Sequence, residues 1–160
     1  MPDDISTDCV IEDDRWERLG LEVLADRAVA AVLSWHGIGG EVCVMGCDDM
    51  RIAALNADFR GKPRATNVLS WPSAEHVAHE PGARPELPDT DELGDIAIAY
   101  DTCLAEAQAQ GKPVADHVAH LLVHATLHLL GYDHQTDADA ETMEAAERSI
   151  LSGLNVPDPY

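Results

Sequence analysis

The histidines between residues 117 and 134 are the side chains of this sequence best suited to chemistry. His124 and His128 are four positions apart, so on an α-helix both rings project from one face, about 40° apart around the axis and roughly 6 Å apart along it. Gly131 can adopt the left-handed conformation that ends a helix and reverses the chain, which brings His134 back toward the same point. Three imidazoles about 2.0–2.1 Å from one ion form a transition-metal site with a fourth position open to water, which is typical of catalytic zinc. We therefore predict one divalent ion, Zn²⁺, bound by His124, His128 and His134.

Spacing alone does not select this pair, because His120 and His124 are also four positions apart. Two features favour His124 and His128: they lie next to the glycine turn, and the surrounding segment 121–130 is strongly apolar, where an imidazole without a partner is costly to bury. The remaining histidines are expected to support the ligands or to lie on the helix surface (His117 and His120), or to lie in solvent or in loops (His36, His76 and His79).

The spacing of His124 and His128 also resembles the HExxH motif of zinc proteases. The helix that carries the two histidines is therefore predicted to be a zincin-like metal-site helix. In those enzymes a glutamate next to the first ligand is the general base, but this chain has Ala125 there. Ordinary peptide hydrolysis is therefore not expected. Asp133 could replace that base, although a carboxylate beside a ligand more often orients it through a hydrogen bond or caps the turn. A metal ion alone can lower the pKa of bound water enough to supply hydroxide near neutral pH.

Length and composition are those of one globular domain spanning residues 1–160, with residues 1–8 and 154–160 expected to be loose ends. There is no apolar run of membrane-spanning length and no secretory signal at the start. The four cysteines form no CxxC pair and no disulfide-framework spacing. We expect a reduced, cytoplasmic protein without a membrane partner.

The net charge of −20 argues against a general affinity for nucleic acid, DNA included, because phosphates are repelled on average. The basic residues are nevertheless clustered: Arg51, Arg60, Lys62 and Arg64 are four of the ten lysines and arginines. This cluster could form a local basic patch on an acidic body, with Lys62 and Arg64 steering an RNA backbone. Alternatively, Arg51 and Lys62 simply offset neighbouring acids.

Hydrophobic periodicity predicts an α+β fold, in which a small mixed β-sheet is covered by helices and the histidine helix is buried against the sheet. Strands are expected at 9–11, 41–45, 66–71 and 95–100. Helices are expected at 15–35, from Asp48 or Asp49 to about 60, from a cap at Asp101 to Gly111, at 113–130, and from a cap at Thr136 or Asp137 onward. Residues 72–92 are predicted to form an unusually long loop.

Four stretches in this order resemble the YbeY family of endoribonucleases, the rRNA maturation factors. Residues 124–134 are similar to the family's HGxLHLxGYDH motif, residues 55–60 to LNxxYR, residues 66–72 to TDVLSFP, and residues 93–96 to LGDI. The departures are Ala125 for Gly, which a helix tolerates, Trp71 for Phe, which keeps the aromatic bulk, and Asn67 for Asp, which removes a charge.

The resemblance implies a single-strand-specific, metal-dependent endoribonuclease acting in 16S rRNA 3′-end maturation and in ribosome quality control. It carries the family's metal ligands over to His124, His128 and His134, and the family's arginine to Arg60. A guanidinium there could stabilise charge on a phosphodiester, whereas the alternative role for Arg60 is a structural ion pair. Single-stranded RNA or rRNA and small-subunit ribosomal proteins are the implied partners.

Two rival functions share the ligand set. A non-catalytic, zinc-containing ribosome-associated binding factor would need a fourth protein ligand, such as His120, Asp133 or a cysteine, and a closed coordination shell. A zinc peptidase or another small-molecule hydrolase ranks third, because Ala125 replaces the glutamate.

Overall fold

A mixed four-stranded sheet is the framework of the fold in the computed structural model, which describes residues 4–73, 80–88 and 90–160. The strands are β1 (Ile5–Ile11), β2 (Gly40–Cys47), β3 (Val68–Pro72) and β4 (Glu92–Ala99), in the order β1-β2-β4-β3. Strands β1, β2 and β4 are parallel, whereas β3 is antiparallel to β4 and forms one edge. The predicted α+β fold with a small mixed sheet is confirmed.

The helices of the described residues are α1 (Arg15–Leu19), α2 (Leu21–Trp35), α3 (Asp49–Arg60), α4 (Tyr100–Gln110), α5 (Val114–Leu129) and α6 (Asp137–Gly153). Helix α5 carries the histidines and is buried along most of its length, in contact with α2, α4, α6, β3 and β4. Because α5 is held from several sides, its histidine face has a fixed direction. Within the described part of the chain, no helix combines the length and apolar character that a membrane crossing needs.

The predicted helix 15–35 is wrong as a single element, because the chain breaks at Gly20 into α1 and α2. Gly20 has a φ of 85°, and its backbone N–H closes α1 on the carbonyls of Trp16 and Glu17. The break turns the fully buried Trp16 toward the sheet, where its indole N–H donates to the Cys47 carbonyl over 2.9 Å. Apolar spacing continued through the break, and so the sequence pattern did not reveal it.

Helix caps agree with prediction in two cases and differ in one. The Asp48 carboxylate caps α3 by accepting the Arg51 N–H, and the Thr136 hydroxyl caps α6 by accepting the Asp139 N–H. The expectation that Asp101 caps α4 is wrong: Ala99 holds the cap position without a side-chain bond, and Asp101 instead pairs with Arg15 over 2.6 Å.

The chain ends are more ordered than expected where the structure describes them. Residues 5–8 belong to β1, in register with β2, and Tyr160 packs against α5 with its ring centre 5.7 Å from that of His120. Residues 1–3, His76 and His79 lie outside the described residues.

Candidate metal centre and active-site cleft

Three histidines converge where α5 ends. The Nε2 atoms of His124 and His128 are 3.0 Å apart, and the ring centre of His134 lies 5.6 Å from that of His124 and 5.3 Å from that of His128. One ligand atom from each ring lies within 4.8 Å of the others. The reversal that returns His134 begins at Gly131, whose φ of 107° suits glycine. The structure therefore brings together the three residues that spacing predicted.

Glu147 on α6 fixes the orientation of His124. Its side chain is fully buried, and it accepts hydrogen bonds from His124 Nδ1, from His120 Nε2 over 3.3 Å and from the Tyr160 hydroxyl. Burial alone would raise the pKa of this carboxyl, but the bonds from His120, His124 and Tyr160 outweigh burial and lower the pKa to about 2. An ionised carboxylate can only accept, so His124 carries its proton on Nδ1 and leaves Nε2 as the ligand atom.

A main-chain carbonyl fixes the orientation of the His128 ring in the way that Glu147 fixes that of His124. Its Nδ1 donates to the Tyr132 carbonyl over 2.8 Å, which again leaves Nε2 free to bind a cation. The buried Tyr132 is itself anchored, because its hydroxyl bonds to His36 Nε2 over 2.8 Å. His36 was predicted to lie in solvent or a loop; it is instead half-buried at the end of α2 and holds the turn that carries His134.

The donor set fits a transition-metal ion. Burial, followed by the nearby His124 and His134 rings, lowers the pKa of His128 to about 4. The Nε2 atoms of His124 and His128 face each other 3.0 Å apart, while the Nδ1 atom of each ring bonds to another acceptor, an arrangement that a shared cation would stabilise. Two Zn–N bonds at the tetrahedral angle would separate such nitrogens by about 3.3 Å. The observed Nε2–Nε2 distance of 3.0 Å is thus near the distance that a shared cation requires.

A closed structural site would need a fourth protein ligand. Among the described residues, His124, His128 and His134 form a group of three without a fourth cysteine, carboxylate or histidine ligand. His120, His124 and Glu147 form a second close group, but the hydrogen bonds that join them already use their facing atoms.

Arg60 and the three histidines line one cleft of about 600 Å³. The last turn of α3, the segment 66–71 and the histidine face of α5 form its walls. Arg60 is exposed, and it makes no ion pair with any residue that the structure describes. Its predicted alternative, a structural ion pair, is therefore not observed within that part of the chain.

The charge of this cleft is opposite to that of the whole chain. The chain has 30 Asp and Glu residues, yet the described residues that line the cleft include one arginine and four histidines and no Asp or Glu. Glu147 lies behind the histidines and is fully buried. A polyanion can therefore approach the part of the cleft wall that the described residues form without meeting an Asp or Glu side chain.

A model of the endoribonuclease YbeY family matches residues 5–155, which is almost the whole described chain. The chain belongs to the endoribonuclease YbeY family. Relatives named endoribonuclease YbeY include one from Paracoccus denitrificans, 68% identical over 96% of this chain and 88% of its own length. Another, from Cereibacter sphaeroides, is 57% identical over 94% of this chain and 96% of its own length.

A solved structure supports the fold independently of close sequence similarity. The solution structure of TM1509 from Thermotoga maritima matches with a TM-score of 0.59 and 19% identity, over 93% of this chain and 91% of that one. At this identity the likeness concerns the fold alone.

Asn67, where the YbeY-family pattern quoted above has Asp, contacts the carboxylate of Glu106. Its amide Nδ2 donates to Glu106 over 3.0 Å, and Glu106 also accepts from His117 Nε2 over 2.9 Å. An aspartate at 67 would place two carboxylates in contact, so the amide is the better partner for Glu106 in this family member. His117, expected to support the ligands or lie on the surface, is buried in this neighbouring network rather than against a predicted ligand.

Three further residues that were predicted to belong to the site make no direct contact with the histidine group: Lys62, Arg64 and Asp133. Lys62 and Arg64 are exposed in the segment after α3 and are not among the described residues that line the cleft. The Asp133 carboxylate accepts the Gln135 N–H over 3.2 Å, which caps the turn, the last of the three roles considered for it.

Glu147 and Tyr160 are the site residues that sequence reasoning missed. Glu147 occupies the apolar stripe of α6 that Met143, Ala146 and Ile150 define. An acid at such a position predicts a buried partner, and this signal was available in the sequence. Tyr160 offered no comparable signal, because its contacts with His120 and Glu147 depend on where the tail returns.

Proposed function

We propose that this chain is a metal-dependent endoribonuclease that cleaves single-stranded RNA, with the 3′ region of 16S rRNA as its substrate. The observation that carries the proposal is the cleft that Arg60 lines together with His124, His128 and His134, without an Asp or Glu among the described residues that line it. A relative that is 68% identical carries the name endoribonuclease YbeY. A cytoplasmic location and contacts with small-subunit ribosomal proteins accord with such a substrate.

We assign the metal site to Nε2 of His124, Nε2 of His128 and a ring nitrogen of His134, and we propose Zn²⁺ as the ion because three imidazoles suit it. A divalent ion bound there would act as a Lewis acid toward a phosphodiester and lower the pKa of a neighbouring water molecule. Glu147 and the Tyr132 carbonyl hold the rings of His124 and His128 in the tautomer that binds a cation.

Arg60 would bind the scissile phosphate. Cleavage of a phosphodiester increases negative charge on its non-bridging oxygens, and a guanidinium can donate two parallel hydrogen bonds to them. The exposed side chain of Arg60, without an ion pair among the described residues, is available for this contact. Lys62 and Arg64 would contact the RNA backbone beyond the cleft.

A nuclease assay with purified protein tests the proposal. Zn²⁺-loaded protein should cleave a single-stranded oligoribonucleotide containing the 3′ region of 16S rRNA, and a chelator should abolish cleavage until Zn²⁺ is restored. His128→Ala should be inactive, whereas Arg51→Ala, which alters a distant exposed cation paired with Glu12, should cleave normally. Equal cleavage by wild type and His128→Ala would show that the activity belongs to a contaminant and would contradict the proposal.

A further inference from the structure

The mouth of the cleft carries an exposed aromatic residue. Phe59, the single phenylalanine of the chain, is 63% exposed, although it lies next to the buried face of α3. It lines the same cleft as Arg60 and the three histidines. Exposure of a phenyl ring to water is unfavourable, and a position beside a candidate active site points to a ligand that covers it.

The ring of Phe59 is held by a second aromatic residue. Trp71 on β3 also lines the cleft, and its ring centre lies 5.1 Å from that of Phe59 with an angle of 60° between the planes. Contact with Trp71 limits the rotamers of Phe59 before any ligand binds, which reduces the entropy lost on binding. The two rings thus form a preorganised aromatic platform, defined here as Phe59 and Trp71.

We infer that this platform is a subsite that stacks one nucleobase beside the scissile phosphate; the inference rests on the proposed function. Phe59 directly precedes Arg60 in the chain, so one ring of the platform and the proposed phosphate ligand are supplied by the same helical turn. A base and its phosphate are likewise adjacent groups of one nucleotide. Base–aromatic stacking is a common and sequence-tolerant way to bind single strands.

This subsite supplies a physical cause for single-strand preference. In a duplex, both faces of an internal base are covered by its neighbours, whereas an unpaired base can leave the stack and lie on an aromatic ring. The described residues that line the cleft around the platform include no Asp or Glu, which favours RNA over a basic protein segment as its occupant. The platform and Arg60 together therefore favour an unpaired, flexible nucleotide over one in a duplex.

The test combines base deletion in the RNA with substitution of Phe59. Zn²⁺-loaded wild type is given a single-stranded oligoribonucleotide with one cleavage site, and a set of copies in which one abasic nucleotide is moved through the positions flanking that site. One position should lower kcat/KM about ten-fold, as expected for loss of one stacked base. Phe59→Ala and Phe59→Leu should lose about ten-fold on the intact RNA and show no further loss at that position.

Two controls separate stacking from damage to the fold. Phe59→Tyr keeps the ring and should retain the sensitivity to the abasic position that Phe59→Leu loses. Met50→Ala removes an 83% exposed side chain from the same helix outside the cleft lining and should cleave as wild type does. Phe59→Leu keeps apolar bulk, and its thermal unfolding and zinc content should match those of wild type.

The possible results distinguish failure of the stacking subsite from failure of the proposed nuclease function. If wild type cleaves but Phe59→Leu cleaves equally well, or if the abasic effect persists in Phe59→Ala, the subsite is overturned and the nuclease stands. If Phe59→Ala cleaves normally but loses binding to ribosomal particles, the platform is a protein contact and the inference is wrong. If Zn²⁺-loaded wild type cleaves no RNA, both proposals fall.

Discussion

The carboxylate of Glu147 accepts a hydrogen bond from Nδ1 of His124, across the interface between α6 and α5. This contact joins a fully buried charge to a proposed metal ligand. Carboxylate–histidine pairs of this kind fix the ring and raise the basicity of the ligating nitrogen. The position of α6 is therefore tied to the metal centre, although the predicted ligands all come from α5 and the turn that follows it.

Glu147→Gln should weaken zinc binding about 10- to 100-fold, because the amide lacks the charge that holds Nδ1–H of His124. Competition with a chromophoric zinc chelator would measure the affinity. Glu141→Gln removes an exposed carboxylate from the same helix and is the matched control. Equal zinc affinities for Glu147→Gln and Glu141→Gln would contradict the orienting role.

The parts of the site that the sequence predicted are local in the chain. His124, His128, Gly131 and His134 lie within eleven consecutive residues, and helical geometry together with one left-handed glycine is enough to bring the rings together. The strands were found in the same way, since their alternating or β-branched patterns are short-range signals.

The rest depends on contacts between distant segments. Glu147 and Tyr160 reach His120 and His124 only because α6 and the following tail pack on α5, and His36 meets Tyr132 across 96 positions. Periodicity describes which face of a helix is apolar, but it does not say which neighbour covers that face. Glu147 was the exception, since an acid within an apolar stripe indicates a partner even when the partner is unknown.

Substitution of His134 and His120 distinguishes the two close ligand groups of the structure. His134→Ala should lower zinc affinity by at least 100-fold, because it removes one of three proposed ligands from an exposed turn without disturbing the core. His120→Ala should lower it less than ten-fold, because His120 acts only through its bond to Glu147. Isothermal titration of both variants measures the difference. The reverse ranking would move the site to His120, His124 and Glu147.

Metal-free protein should lose stability as the pH falls from 7 to 5, partly because of His128. The pKa of this imidazole is about 4 in the folded protein and about 6.5 in an unfolded chain. At pH 7 both states are neutral, whereas at pH 5 only the unfolded state binds the proton. Stability is therefore present above pH 6.5 and decreases below it, by about 2 kcal/mol at pH 5.

Urea unfolding of chelator-treated protein at pH 7 and pH 5 measures this change. His128→Gln removes the titrating group, and its free energy of unfolding should depend less on pH by about the same 2 kcal/mol. The sign would be reversed if His128 were protonated in the folded state. An identical pH dependence in wild type and His128→Gln would show that its burial does not hold the imidazole neutral.

Arg60→Ala should leave zinc content and unfolding temperature unchanged, because Arg60 is exposed and makes no ion pair among the described residues. Cleavage of single-stranded RNA should fall by about 10²–10³-fold in kcat/KM, the range for loss of one donor that stabilises developing charge. Arg60→Lys keeps the charge but not the paired donors and should recover only part of this loss. Arg51→Ala, on the same helix and paired with Glu12 over 3.4 Å, is the control for a general change in charge. If Arg60→Ala and Arg51→Ala cleave equally fast, Arg60 contributes only to the field of the cleft, and the phosphate must be held by another group.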